Sequence, residues 1–347
     1  MKYSRVVLES LGYELAPVAV STEELEDRLK PAYQKLHIPA GQIAAFTGVL
    51  ERRWWEPRFP VAEGAIRAGR KALESAGISG RDLEVLIYAG VCREHFEPAT
   101  ACRVADALGV SERAAVFDIS NACLGVLNGM VEIANRIELG HIRAGLVVSC
   151  ETAREIVEVA IGQLRAAPTM DLFRRSLATM TGGSGAAAVL LSDGSYSEEK
   201  KPRLLGGVTR TAPEHHRLCR WGLEETSPAT FRQFISTDSI EVLKHGVTLG
   251  IKSWADFLRE MAWTPQLVDK AIFHQVGSTH RDSMLKLTEL PEDKDFSTYE
   301  FLGNMGTVSL PLTAALAAER QLLLAGDRVG FLGIGSGLNC LLLGVEW

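Results

Sequence analysis

The chain has 347 residues, 46% hydrophobic and 23% charged, a globular balance with room for one large domain or two of medium size. A formal net charge of -6 argues against a nucleic-acid binder, which normally carries a basic stripe. No stretch is long and apolar enough to span a bilayer, and the N-terminal residues 1–8 are too short in apolar run for a signal peptide.

Six cysteines (Cys92, Cys102, Cys123, Cys150, Cys219, Cys340) are scattered without CxxC pairs. That pattern fits neither a zinc site nor a disulfide framework, and the expected location is the reducing cytoplasm. Residues 6–13 read as a first strand. Ser21 stands three before Glu24, a capping-box-like start for a helix expected to run through Leu29 and stop near Pro31. Residues 46–55, with Arg52, Arg53, Trp54 and Trp55, read as a surface strand with aromatic packing. From 61 to 76, Ala62, Ala65, Ile66, Gly69, Leu73 and Ala76 line one helical face, and Gly77 ends it. Residues 83–90 form a near-continuous apolar run, as a parallel strand covered on both faces would. A loop (92–98), a helix (99–108) and strands at 115–119 and 144–150 follow. Residues 152–180 are charged and helix-prone around Pro168, a helical excursion over the core. Gly182 to Gly185 then form a turn into a strand. A dinucleotide fingerprint needs strand, turn, helix, so no nucleotide site is expected there.

The polar stretch 194–202 divides the chain into halves, 1–195 and 196–347, and the second echoes the first. Residues 267–276 repeat the charge, apolar run and polar end of 83–91. Residues 307–324 form a small-residue helix like the one after Cys123. Strands at 329–334 and 340–345 flank Gly335-Ser336-Gly337. Two βαβ-type halves, each with a buried sheet, predict an α/β fold layered αβαβα with pseudo-twofold symmetry.

The chemistry centres on Cys123, which follows the apolar stretch Phe117-Asp118-Ile119 and precedes an amphipathic helical pattern. At a helix start, free N–H groups and the positive dipole end would favour thiolate, the nucleophilic form. The alternative is an inert buried thiol. His274 and Asn304 sit at the ends of apolar runs or in Gly-flanked turns, where α/β sheets bind ligands. Alone, each reads as structural; with Cys123 they make a Cys–His–Asn set.

Asn121-Ala122-Cys123, His274-Gln275-Val276, Gly303-Asn304-Met305-Gly306 and Gly333-Ile334-Gly335-Ser336-Gly337 resemble, in this order and spacing, the condensing enzymes of the thiolase superfamily. The resemblance covers nearly the whole chain. It is strongest to the ketoacyl synthase III branch and, within it, to the OleA-type long-chain acyl condensing enzymes. It implies a thiolase fold, a homodimer and no cofactor beyond the coenzyme A of the thioester substrates. It further implies that Cys123 takes an acyl group, while the N–H groups of Cys123 and Ser336 hold the acyl oxyanion. His274 and Asn304 would hold the second thioester as its enolate forms; one such fixed donor is worth about 3–4 kcal/mol.

In the matching loop of typical synthase III chains, an apolar residue precedes the proline. Here Glu97 precedes Pro98. In the OleA-type enzymes that glutamate reaches the neighbouring subunit's site as a base, so the resemblance implies a non-decarboxylative Claisen condensation of two acyl thioesters. Two alternatives stand beside it: a decarboxylating synthase III that uses a malonyl carrier protein, and a non-catalytic acyl-binding scaffold. Phe46 replaces an arginine that helps hold coenzyme A in synthase III chains. That leaves acyl-CoA and acyl carrier protein both open as substrates, with Arg210, Arg217 and Arg220 as candidate phosphate contacts. Apolar residues within 156–180 and 243–257 are expected to line the acyl channels, and enzymes of lipid or hydrocarbon assembly are the expected downstream partners.

Overall fold

A computed structural model describes residues 1–347. The first half contains β1 (Val7–Leu15), β2 (Val18–Ser21), α1 (Thr22–Leu36), α2 (Gln42–Thr47), β3 (Glu51–Trp54), α3 (Val61–Ala76), β4 (Val85–Ala89), α4 (Thr100–Leu108), β5 (Ala115–Ile119), α5 (Gly125–Glu138), β6 (Ala144–Glu151), α6 (Arg154–Ala166), α7 (Met170–Met180) and β7 (Gly185–Ser192). The second contains β8 (Arg203–Thr211), β9 (Cys219–Ser227), β10 (Thr230–Thr237), α8 (Ser239–Met261), β11 (Lys270–Phe273), α9 (Ser278–Thr288), α10 (Tyr299–Leu302), α11 (Ser309–Glu319), β12 (Arg328–Gly335) and β13 (Asn339–Glu346).

Nine strands run in the order β11-β12-β13-β8-β1-β7-β6-β4-β5. In the first half, β4 is parallel to β5 and β6, and β7 is antiparallel to β6. In the second, β11 is parallel to β12 and β13 antiparallel to it. The counterpart of β5 is a single parallel bridge, Asp295 beside Ala271. The half-sheets join where Val7 pairs with Arg203.

Five layers result. Between the half-sheets, Leu127, Met130 and Ile133 of α5 and Leu310 and Ala314 of α11 share one apolar cluster with Ile87 and Val147 on one side and Ile272 and Phe331 on the other. A helix covered on both sides has no need of a polar face, and α11 is buried from Ser309 through Ala317. Outside the first half-sheet, Ala65 and Ala68 of α3 and Val104 of α4 meet Leu86 and Leu146. Outside the second, Trp254 and Phe257 of α8 and Met284 of α9 meet Phe273 and Leu332. No helix is long and apolar enough to cross a membrane.

Two sequence expectations are corrected, and one element is new. Helix α1 passes Pro31 and ends on His37 in the left-handed conformation. Leu25, Leu29, Ala32 and Tyr33 form a buried stripe that outweighs the missing bond, and Pro31 lies on the exposed side, where water can solvate the freed carbonyl. The 46–55 stretch is not a surface strand: Phe46 and Thr47 end α2, and Arg52, Trp54 and Trp55 are buried. Both indole N–H groups find carbonyls, Trp54 at Gly182 (3.1 Å) and Trp55 at Glu151 (3.2 Å). Finally, the β9–β10 hairpin, mostly exposed, has no counterpart in the sequence reading.

Candidate active site

Strand β5 delivers the chain to a tight turn, and α5 begins two residues past Cys123. Ala122 has φ 45°, a left-handed conformation rare for a residue with a side chain and here adjacent to the reactive position. Asn121 ties the turn down. Its Nδ2 donates to Asn128 Oδ1 at 2.8 Å, and its Oδ1 accepts from Asn339 Nδ2 at 3.1 Å. Asn339 Nδ2 also donates to the Ser336 carbonyl at 3.3 Å, so the β12–β13 turn is bound to the cysteine turn. A Cβ at Gly335 would stand 3.5 Å from the Cys123 nitrogen, which is how closely the two turns approach. No protein carbonyl takes the N–H of Cys123 or of Ser336, leaving both free to donate to a ligand.

The expected thiolate is not found in the resting site. Burial, then nearby Cys219 and Glu151, push the Cys123 thiol up to about 12, and only its own backbone N–H pulls the other way. The helix that was to favour ionisation starts beyond the sulfur. Its Val126 N–H is taken by the Thr307 hydroxyl at 2.7 Å. Cys123 is therefore a neutral thiol at pH 7.

His274 follows β11 and is 4% exposed. Its backbone N–H donates to Leu332 of β12 at 3.1 Å. Its Nδ1 has no partner. Burial, helped by neighbouring His280, lowers its pKa to about 3, so the ring is neutral and can donate from one nitrogen. Asn304 is fixed by its own turn. Its N–H donates to Thr181 and its carbonyl accepts from Gly183, both at 2.8 Å. The side-chain Oδ1 accepts from Gly306 N–H at 3.0 Å, which turns the Nδ2 hydrogens outward as free donors. Gly303 is required here: φ is +67° and a Cβ would stand 2.3 Å from the Thr181 oxygen.

Contacts link the segments that carry the three residues. Thr307, just past Asn304, bonds the first turn of α5. Gln275, beside His274, accepts the N–H groups of Thr298 and Tyr299 at 2.9 and 3.2 Å and donates to Phe273 at 2.8 Å. Gln275 and Thr307 are supporting residues that the sequence reading did not assign. Gln275 lay within a quoted motif; Thr307 gave no signal.

Glu97 is exposed, on a loop held at three points. Val91 and Cys92 N–H groups donate to Glu151, and Ala62 N–H and Arg103 donate to Glu94 at 3.3 and 2.6 Å. Thr100 and Ala101 N–H groups donate to Asp118 at 3.0 and 2.9 Å. Phe96, beside Glu97, is 95% exposed. The three candidate arginines form no common cradle. Arg210 pairs with Asp256, Arg220 lies over the Phe234 ring at 5.5 Å, and Arg217 is exposed. A thiol, two unengaged backbone donors, a neutral imidazole and an oriented carboxamide suit acyl transfer with enolate stabilisation.

Comparison with known proteins agrees. The 3-oxoacyl-(acyl-carrier-protein) synthase III family matches residues 117–212, and its C-terminal family matches residues 258–347. A Shewanella oneidensis protein named acyl-CoA:acyl-CoA alkyltransferase is 55% identical over 349 residues, covering 100% of both chains. A Xanthomonas campestris protein of that name is 33% identical over 348 residues, again covering 100% of both. The crystal structure of cerulenin-bound Xanthomonas OleA matches with a TM-score of 0.94 at 33% identity, covering 100% of this chain and 98% of that one. Other structures of that protein carry substitutions at a cysteine, a glutamate or a histidine, and one holds lauric acid and lauroyl-CoA.

Proposed function

The chain belongs to the acyl-CoA:acyl-CoA alkyltransferases, thiolase-fold acyltransferases of the OleA type within the synthase III family, and from that premise we propose how its residues join two fatty acyl-CoA thioesters head to head. Cys123 attacks the first thioester, and its proton leaves with the departing coenzyme A thiol. The N–H groups of Cys123 and Ser336 receive the oxyanion. Glu97 of the neighbouring subunit removes an α-proton from the second thioester. The enolate, held by His274 and Asn304, attacks the acyl-Cys123 carbonyl. The cysteine leaves and is reprotonated, and a 2-alkyl-3-ketoacyl-CoA remains. No cofactor is required beyond the coenzyme A that the substrates carry. In this reading residues 1–195 supply the nucleophile and residues 196–347 the enolate donors.

The observation that carries the reading is the carboxylate at the tip of a rigidly rooted loop. Decarboxylation of a malonyl group generates its own carbanion and needs no base, whereas deprotonating an acyl thioester does. In the Xanthomonas protein, the substituted glutamate precedes the substituted cysteine at the same sequence separation as Glu97 and Cys123 here. Glu97 is exposed in the single chain, and in this reading its carboxylate is enclosed only by the neighbouring subunit's site, so the reading includes a homodimer. Exposed Phe96 supports it, as does β5, an edge strand with Val116, Phe117 and Ile119 only half-buried. Six free thiols support a cytoplasmic site of action, and the 3-keto product would pass to enzymes of lipid or hydrocarbon assembly. Supplying one acyl-CoA with and without malonyl-CoA or a malonyl carrier protein tests the proposal. A condensed product without malonate supports it; strict malonate dependence refutes it.

A further inference from the structure

Glu151 ends β6 and is 4% exposed, yet the acyl-transfer steps above give it no task. Its Oε1 accepts the Val91 N–H at 2.9 Å and its Oε2 the Cys92 N–H at 3.1 Å. These are the first residues of the loop that ends in Glu97. The same root is gripped by the Tyr88 hydroxyl, which lies 2.6 Å from the Cys92 carbonyl and 2.9 Å from that of Cys150. Cys92 Sγ lies 3.4 Å from the Thr152 carbonyl. Burial raises the Glu151 carboxyl pKa, and the two N–H donors oppose that rise. A side chain held against such a penalty does more than fill space: an apolar residue would fill the volume and leave both N–H groups unpaired.

We propose that Glu151 is a positioning residue for carbon–carbon bond formation: it fixes the root of the Glu97 loop and so sets where that carboxylate arrives in the neighbouring subunit's site. The effect is exerted in trans. Each Glu151 serves the other subunit's Cys123, although it lies in the same chain as its own. Gln at this position keeps the shape and the packing against Gly306, whose Cβ would stand 3.5 Å from Glu151 Cγ. It replaces one of the two acceptors by a donor, so one backbone N–H faces another donor and the loop root shifts. It also removes a neighbour that raises the Cys123 thiol, so acylation has no reason to slow.

The inference rests on the cross-subunit reading of Glu97, and the experiment separates the two. In Glu151→Gln, intact-mass kinetics should show Cys123 acylated at least as fast as in wild type. Condensation should fall by about 10²-fold, the cost of a misplacement near 1 Å. Glu151→Asp, which keeps both acceptors, should recover part of it. Mixed dimers made with two affinity tags then decide where Glu151 acts. Pairing E151Q with C123A places an intact Glu151–Glu97 arm opposite the only Cys123, and about half the wild-type rate per dimer should return, because one of two sites is complete. E97Q paired with C123A is the control and should behave alike. If the control recovers and the E151Q pair stays inactive, Glu151 acts within its own site and the inference is overturned. If the control stays inactive, the cross-subunit reading fails and takes the inference with it. Equal loss of acylation and condensation in both E151Q and E151D, with a lowered melting temperature, indicates a merely structural role and also overturns it.

Discussion

Gly303→Ala tests whether the backbone around Asn304 fixes the enolate donor. At φ +67° a methyl group would stand 2.3 Å from the Thr181 oxygen and 3.1 Å from Arg52 Cβ. With ψ at -161° the backbone lies in a region open essentially to glycine alone, which costs a residue with a Cβ about 1–3 kcal/mol. The carbonyl cannot simply withdraw, because the Asn304 N–H donates to it at 2.8 Å and Asn304 in turn accepts from Gly183. Relief requires the turn to move by about 1 Å, a misplacement worth on the order of 10²-fold in rate. With one buried hydrogen bond weakened, the stability loss should total about 2–4 kcal/mol. Denaturant melts, intact-mass acylation kinetics and product assays read the three quantities separately. Condensation should collapse while Cys123 acylation stays near wild type, since Asn121 and Asn339 hold the cysteine turn independently. Wild-type condensation with unchanged stability would refute the reasoning.

The elevated Cys123 thiol predicts an iodoacetamide alkylation rate that climbs about tenfold per pH unit from pH 7 to 10; a plateau near pH 7 would contradict it. His274 and His280, lowered to about 3 and about 4 by burial, bind protons less readily folded than unfolded. Their contribution to stability is complete above the ordinary value near 6.5 and drains as pH falls towards 4, on the order of 2 kcal/mol each by pH 5. His280→Asn should lose visibly less stability than wild type between pH 7.5 and pH 5 in denaturant melts, and an identical loss would refute the assignment. Phe96→Ser should leave the subunit's own packing intact, because the ring is 95% exposed in the single chain, but weaken the dimer measured by light scattering; an unchanged dimer constant would remove Phe96 from the interface.

What was readable in the sequence depended on the range of the forces involved. Helix α3 and strand β5 followed from local pattern: small and apolar residues at helical spacing closed by Gly77, and a short apolar run before a turn. The layered fold followed from the echo between the halves, because repeated pattern signals repeated packing. Pro31 misled because its cost is local whereas the stripe that overrides it is tertiary. Trp54 and Trp55 misled for the same reason, since the carbonyls that accept their N–H groups lie far along the chain. The hairpin at 219–237 has few buried residues and hence little patterning to read. At the site, Cys123 and His274 stood out by their position after apolar runs and Asn304 by its Gly-flanked turn. The ionisation state of Cys123 did not, because enclosure by distant segments sets it. Glu151 and Thr307 were invisible as well: each acts through bonds to segments far away in sequence, and neither differs locally from an ordinary strand-end acid or helix-start threonine.

The most direct test of the account is to give Glu97→Gln a single long-chain acyl-CoA and follow both the protein's intact mass and the small-molecule products. Acyl-Cys123 should accumulate to stoichiometry while no 2-alkyl-3-ketoacyl thioester forms. A condensed product at the wild-type rate, or a cysteine that never acquires the acyl mass, would contradict it.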